Sequence, residues 1–117
     1  MDKFEELEKM VTLEIPAGVL EENECPMSAA IRELEEETGY RANKIEKICE
    51  YFMSPGISDG KFYLYYAEDL IKTQQNLDED EFVIVERESL KNLSLSSLSD
   101  GKSIIGVEFA KRKRGIL

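Results

Sequence analysis

Apolar positions along this 117-residue chain recur with two periods. From Val11 to Ile15 apolar and polar residues alternate, with Val11, Leu13 and Ile15 on one side; this predicts a strand that Pro16 ends. Ala17-Gly18 must then turn the backbone tightly into a loop. From Pro26 to Thr38 the spacing changes to about 100° per residue. Met27, Ala30, Ile31, Leu34 and Thr38 fall on one stripe of the predicted helix. Pro26 suits the first helical position, where a missing N–H costs nothing, and Gly39 suits the left-handed position past the end. Ala42 to Phe52 is a predicted strand region, with Ile45, Ile48, Tyr51 and Phe52 at its apolar positions. Ser54-Pro55-Gly56 breaks it, and Ser58-Asp59-Gly60 marks a second turn. Lys61 to Ala67, KFYLYYA, is rich in strand-forming aromatics. The polar segment Glu68 to Leu77 reads as a loop, Asp78 to Glu81 is a run of acids, and Phe82 to Glu86 is a predicted strand. Glu88 to Leu98 holds a short helix or turns. Asp100 is placed to cap a last helix from Gly101 to Arg112, with Ile104, Ile105, Val107 and Phe109 as its buried side. The basic residues Lys111 to Arg114 suit a helix C-terminus or a solvated tail. The mostly charged start, Met1 to Met10, is a frayed end or a short helical turn. Strands and helices alternate without βαβ regularity, so the expected class is α/β, a mixed sheet with helices on both faces.

Composition narrows the function. The length fits one domain, residues 1–117, and 42% hydrophobic residues support a packed core. A net charge of −10 argues against nucleic acid or an anionic membrane surface as partner. A phosphorylated substrate stays open, because bound cations invert the sign of a site locally. There is no apolar run of membrane-spanning length and no signal-peptide layout. The chain has no histidine, and Cys25 and Cys49 have no CxxC spacing, which argues against the usual zinc sites and any His-dependent triad. Two buried or half-buried thiols fit a reducing cytoplasm.

The unusual chemistry lies on the first helix. Glu33, Glu36 and Glu37, at i, i+3 and i+4, form a carboxylate stripe beside the apolar one. Like charges at these spacings destabilise a helix, and Arg32 offsets only part of this, through Glu36 at i+4. Such a stripe is either a solvated acidic face or a site for a hard divalent cation, which takes carboxylate oxygens and also binds substrate phosphates. The wider spacing favours the cation. Gly18, Glu24, Arg32, Glu33, Leu34, Glu36, Glu37, Gly39 and Tyr40 fill every fixed position of G-x5-E-x7-R-E-U-x-E-E-x-G-U, where U is bulky and apolar or aromatic. This resembles the Nudix box, the signature of the Nudix hydrolases.

The resemblance implies an α/β/α sandwich and a Mg²⁺- or Mn²⁺-dependent site. By resemblance, Glu33 and Glu37 are the core metal ligands, Glu36 is a further ligand, and the Ala17 carbonyl is a backbone one. Arg32 orients the carboxylates or forms a structural pair with Glu24, and Glu24 itself is structural. The general base comes from the late acidic run, Glu79 or Glu81. Candidate catalytic residues are thus Arg32, Glu36, Glu79 and Glu81, with Gly18 and Pro55 on the substrate side. LEIPAG (Leu13 to Gly18), SPG (Ser54 to Gly56), DEDEFVIV (Asp78 to Val85) and DGKSIIG (Asp100 to Gly106) are similar to the ADP-ribose pyrophosphatase branch. Pro55 lies sixteen residues past Gly39, a spacing associated with ADP-ribose specificity. The implied reaction is hydrolysis of ADP-ribose to AMP and ribose 5-phosphate. The alternatives are hydrolysis of a nucleotide sugar and a Nudix-fold module that binds a nucleotide without turnover. The sequence departs from that branch at Gly60, often acidic there, and in the short stretch before LEIPAG. Relatives carry early strands, a dimer-forming region and adenine contacts in that part. The expectation is an N-terminally short domain with early strands missing, an open sheet edge, weak nucleoside binding, and a homodimer that closes the edge.

Overall fold

The computed structural model describes residues 13–52 and 60–116. In order these form helix α1 (Pro26–Thr38), strand β1 (Tyr40–Phe52), strand β2 (Lys61–Lys72), a 3-10 turn (Leu95–Ser97) and helix α2 (Gly101–Lys113). Pro26 opens α1 after an extended Cys25. Gly39 ends it in the left-handed region at φ 76°, its N–H donating to Glu35 O at 2.8 Å. A side chain there would be strained and would meet Gln75 N at 3.1 Å. The apolar stripe of α1 is only half-buried; Met27 is exposed and Ala29, off the stripe, is the buried residue.

β1 and β2 pair antiparallel from Tyr40–Lys72 to Phe52–Lys61, with Ile48 as the extra residue between the Lys47–Tyr65 and Cys49–Leu64 pairs. β2 extends past the predicted Ala67 to Lys72, correcting the loop expected from Glu68. The reason is its partner: the first residues of β1 offer ladder groups that a polar sequence can take as readily as an apolar one. Leu64 and Tyr66 turn to α2, where Tyr66 meets Phe109 at 6.1 Å between ring centroids. Burial of the intervening Tyr65 raises the pKa of its hydroxyl.

Asp100 caps α2 as predicted. Its Oδ2 accepts from Ser103 N at 3.2 Å and Ser103 Oγ at 3.0 Å, and pairs with Lys102 Nζ at 2.7 Å. Ser103 is fully buried, and its hydroxyl in turn accepts the Ile15 N–H at 3.0 Å. The buried side of α2 is therefore Ser103, Val107 and Lys111, while the predicted Ile105 is exposed and Ile104 and Phe109 are half-buried. A hydrophobicity pattern does not mark a serine whose burial rests on partners for its hydroxyl.

Two predicted strands need correction. Val11 and Thr12 lie outside the described residues, and Leu13–Ile15 join no ladder. They are held instead by the Ser103 bond, by Glu14–Lys102 at 2.8 Å, and by Ile15 Cδ1 closing on Gly106. Residues 82–86 likewise join no ladder, with Phe82 and Ile84 87% and 68% exposed. Alternation shows which residues suit a strand, but a strand forms only where a neighbour supplies N–H and C=O groups. Among the described residues the sheet is two antiparallel strands. A cavity of about 440 Å³ opens beside it, bounded by Ile15, Ala30, Leu34, Leu64 and Val107. The turns expected around Pro55 and the start, Met1 to Met10, lie outside the described residues. No described helix is long and apolar enough to cross a membrane. Both thiols are free; Cys49 is half-buried, but Cys25, expected to be at least partly buried, is exposed just before α1.

Candidate active site

Arg32 is the hub of the carboxylate face. Its Nε and Nη2 donate to Glu24 at 2.8 and 2.9 Å, and its Nη1 donates to Glu33 at 2.8 Å and Glu36 at 3.1 Å. Nη2 also reaches Val19 O at 3.4 Å. A forked guanidinium suits this task because its donors lie in a fixed plane. It answers the like-charge cost of the stripe and ties the loop 19–24 to α1. The Arg32 hydrogen bonds hold the Glu24 carboxyl below its ordinary pKa, helped by the Glu21 amide. Arg32 thus contacts Glu24 on the loop and Glu33 and Glu36 on the helix at once.

The Ala17-Gly18 turn lies against the same helix. Ala17 N donates to Glu37 Oε2 at 3.1 Å. A Cβ added to Gly18 would fall 2.0 Å from Glu33 Cδ, so the bare backbone gives the Glu33 carboxylate its room. Burial pushes the Glu37 carboxyl above its ordinary pKa; the Ala17 amide opposes this, the charges of Glu33 and Glu81 add to it, and Lys102 opposes it.

The donor chemistry here, carboxylates beside a backbone turn, is what a hard divalent cation takes. Yet among the described residues no three acids converge closely enough to hold an ion. Glu33 and Glu36 are turned to Arg32, and Glu37 to the Ala17 amide. The acids fit such an ion by type and by helix position, and gathering them needs side-chain rotation.

The acidic run reaches the site through the end of α1. The last carbonyls of a helix lack partners within it. Here Leu34 O accepts from Thr38 Oγ1 at 2.6 Å and Glu35 O from Gly39 N at 2.8 Å. The next two are met from outside the helix: Glu36 O by Asn76 N at 2.7 Å and Glu37 O by Gln75 Nε2 at 2.7 Å. Thr73 N donates to Gly39 O at 2.6 Å. Past this anchor the chain turns at Asp78, whose N–H donates to Glu81 Oε1 at 3.0 Å. Both predicted base candidates are exposed; Glu81 is the one whose charge is felt at Glu37, while Glu79 lies in the turn. Pro55 lies outside the described residues. Gln75 and Lys102 were not singled out from the sequence, since one amide among Gln74, Gln75 and Asn76 and a single lysine near a helix start carry no pattern.

The NUDIX domain family model matches residues 3–104. The chain belongs to the Nudix family. Its helices and antiparallel sheet are the α/β framework of that family, and its box is the Gly18–Tyr40 stretch built around Arg32. The chain is 38% identical over 110 residues to the ADP-ribose pyrophosphatase of Bacillus subtilis (strain 168), covering 89% of this chain and 60% of that protein. It is 40% identical over 116 residues to the methanol dehydrogenase activator of Bacillus methanolicus, covering 94% and 62%. It is 31% identical over 106 residues to the GDP-mannose pyrophosphatase of Yersinia pestis (strain Pestoides F), covering 85% and 53%. The chain thus spans a little over half the length of these relatives.

Proposed function

We propose that this Nudix chain hydrolyses the diphosphate bond of ADP-ribose, or of a related nucleoside diphosphate linked to X, giving AMP and ribose 5-phosphate from ADP-ribose. The observation that carries this reading is the complete carboxylate face of α1, Glu33, Glu36 and Glu37, organised by Arg32 and bordered by Ala17-Gly18. Glu33, Glu36, Glu37 and the Ala17 carbonyl are the groups to hold Mg²⁺ or Mn²⁺. When bound, the ion supplies positive charge against the diphosphate oxygens and makes water more acidic. Arg32 releases Glu33 and Glu36 toward the site while keeping its fork on Glu24. Glu81, carried past Glu37 on the acidic run, takes the proton of the attacking water; Glu79 is the second choice. Gly18 keeps the loop close to the reacting diphosphate, and Pro55 bears on the choice of the X group.

The likeness to an ADP-ribose pyrophosphatase supports the substrate class, and the likeness to a GDP-mannose pyrophosphatase supports a nucleotide sugar as the alternative. A second reading, a module that binds a nucleotide without turnover, is favoured by one observation: no three acids converge among the described residues. The proposed architecture is a single α/β/α domain whose mixed sheet is completed around the open cavity, with α1 and α2 on opposite faces. Exposed Phe82 and Ile84, with backbone free of any ladder, support a homodimer. The free thiols suit a cytoplasmic site of action. The test is a panel of ADP-ribose, GDP-mannose and other diphosphates with Mg²⁺ or Mn²⁺. Turnover fastest with ADP-ribose is the expected result; nucleotide binding without turnover establishes the second reading instead.

A further inference from the structure

We propose that Gln75 is a positioning residue that sets the distance between the acidic run Asp78–Glu81 and the carboxylates of α1. The inference rests on the hydrolase reading above and deepens it. An amide nitrogen has two N–H donors, and both of those of Gln75 are directed at carbonyls: Glu37 O at 2.7 Å and Val83 O at 3.4 Å. One lies on the residue that carries a candidate metal ligand, and the other lies just past the acidic run. The side chain therefore ties the exit of the run to the helix that bears the site. Asn76 N on Glu36 O, at 2.7 Å, ties its entry to the neighbouring turn. With both ends fixed, the run is a closed loop whose internal turn, Asp78 N to Glu81 Oε1 at 3.0 Å, orients the Glu81 carboxylate. The backbone tie survives any substitution at position 75, whereas the exit tie depends wholly on the side-chain amide. A base misplaced by about 1 Å can cost up to about a hundredfold in rate, so this one amide has leverage on the chemistry without touching substrate.

Two variants separate this role from plain helix capping. Gln75→Met keeps the length and removes both donors; Gln75→Glu keeps the shape and sets a carboxylate against two carbonyls. Gln74→Met is the neighbouring control. In the protein without metal or substrate, amide hydrogen exchange should rise over residues 76–83 in both Gln75 variants and stay unchanged over α1 and in the control. With Mg²⁺ and ADP-ribose, kcat should fall about tenfold in Gln75→Met with KM within about twofold, as expected for a misplaced group that does not bind substrate. In a Glu81→Gln background the same change should cost nothing further, because residues acting as one unit are not additive. Unchanged exchange over 76–83 overturns the proposal even if the wild type turns over no diphosphate, a result that would separately sink the hydrolase reading. An undiminished loss in the Glu81→Gln background also overturns it, since a mere cap acts independently of the base.

Discussion

Glu37 and Glu35 differ by two positions on α1 and should differ greatly in consequence. Glu37 meets the Ala17 amide and feels Glu33 and Glu81, whereas Glu35 lies off the carboxylate stripe. Glu37→Gln should lower kcat by about a hundredfold or more, the scale of removing one electrostatic group from a reacting centre. Glu35→Gln should leave kcat unchanged, and circular dichroism should show both variants folded. Gly18→Ala tests the same site from the loop. The new Cβ requires the Glu33 carboxylate to move, since it would otherwise sit 2.0 Å from Cδ. Mn²⁺ affinity by calorimetry should fall about tenfold, within the range seen when groups that orient metal ligands are altered, while the melting temperature stays nearly constant. The carboxylates and Arg32 were legible in the sequence because helical spacing alone puts them on adjoining stripes. Gln75 was not, because its partners are carbonyls, and every residue has a carbonyl.

The same division holds for the elements. Both helix starts and the end of α1 were readable, since Pro26, Gly39 and Asp100 act on backbone within a few residues of themselves. β1 and β2 were readable in kind, but the reach of β2 to Lys72 depends on where β1 begins. The stretch Phe82 to Glu86 reads as a strand and forms none, because alternation cannot supply a neighbour. The Asp100 cap gives a pH prediction. Burial raises the pKa of this carboxyl, but the Lys102 pair and the two Ser103 hydrogen bonds outweigh it, so the folded value lies below the ordinary one. A depressed folded pKa means that the contribution is complete above the unfolded value, near 3.8 for an aspartate. It is lost as pH falls through the lower folded value. Asp100→Ala should cost about 1 kcal/mol in urea unfolding near neutral pH. The gap between variant and wild type should close progressively below about pH 4; a gap constant with pH would show that the charge of Asp100 does not matter.

Taken whole, the molecule sets an open, mostly apolar cavity directly beside its carboxylate face, with Ala17, Gly18 and Glu33 in the wall they share. The cavity was not legible in the sequence. A hydrophobic stripe says which residues seek burial, not how much material arrives to bury them, and Met27 stays exposed for that reason. Exposed Phe82 and Ile84, on a segment that joins no ladder, should drive self-association. Sedimentation at micromolar concentration should show a dimer, and a well-folded monomer would remove that part of the reading. Millimolar Mg²⁺ should raise the melting temperature, because an ion that binds only the folded state shifts the equilibrium toward it. The most direct measurement is product formation from ADP-ribose by the wild type and by Glu37→Gln, with Mg²⁺ and again with excess EDTA. AMP and ribose 5-phosphate in equal amounts, from the wild type with metal only, are the expected result. Equal rates in the two proteins, or a wild-type rate untouched by EDTA, would contradict hydrolysis at the carboxylates of α1.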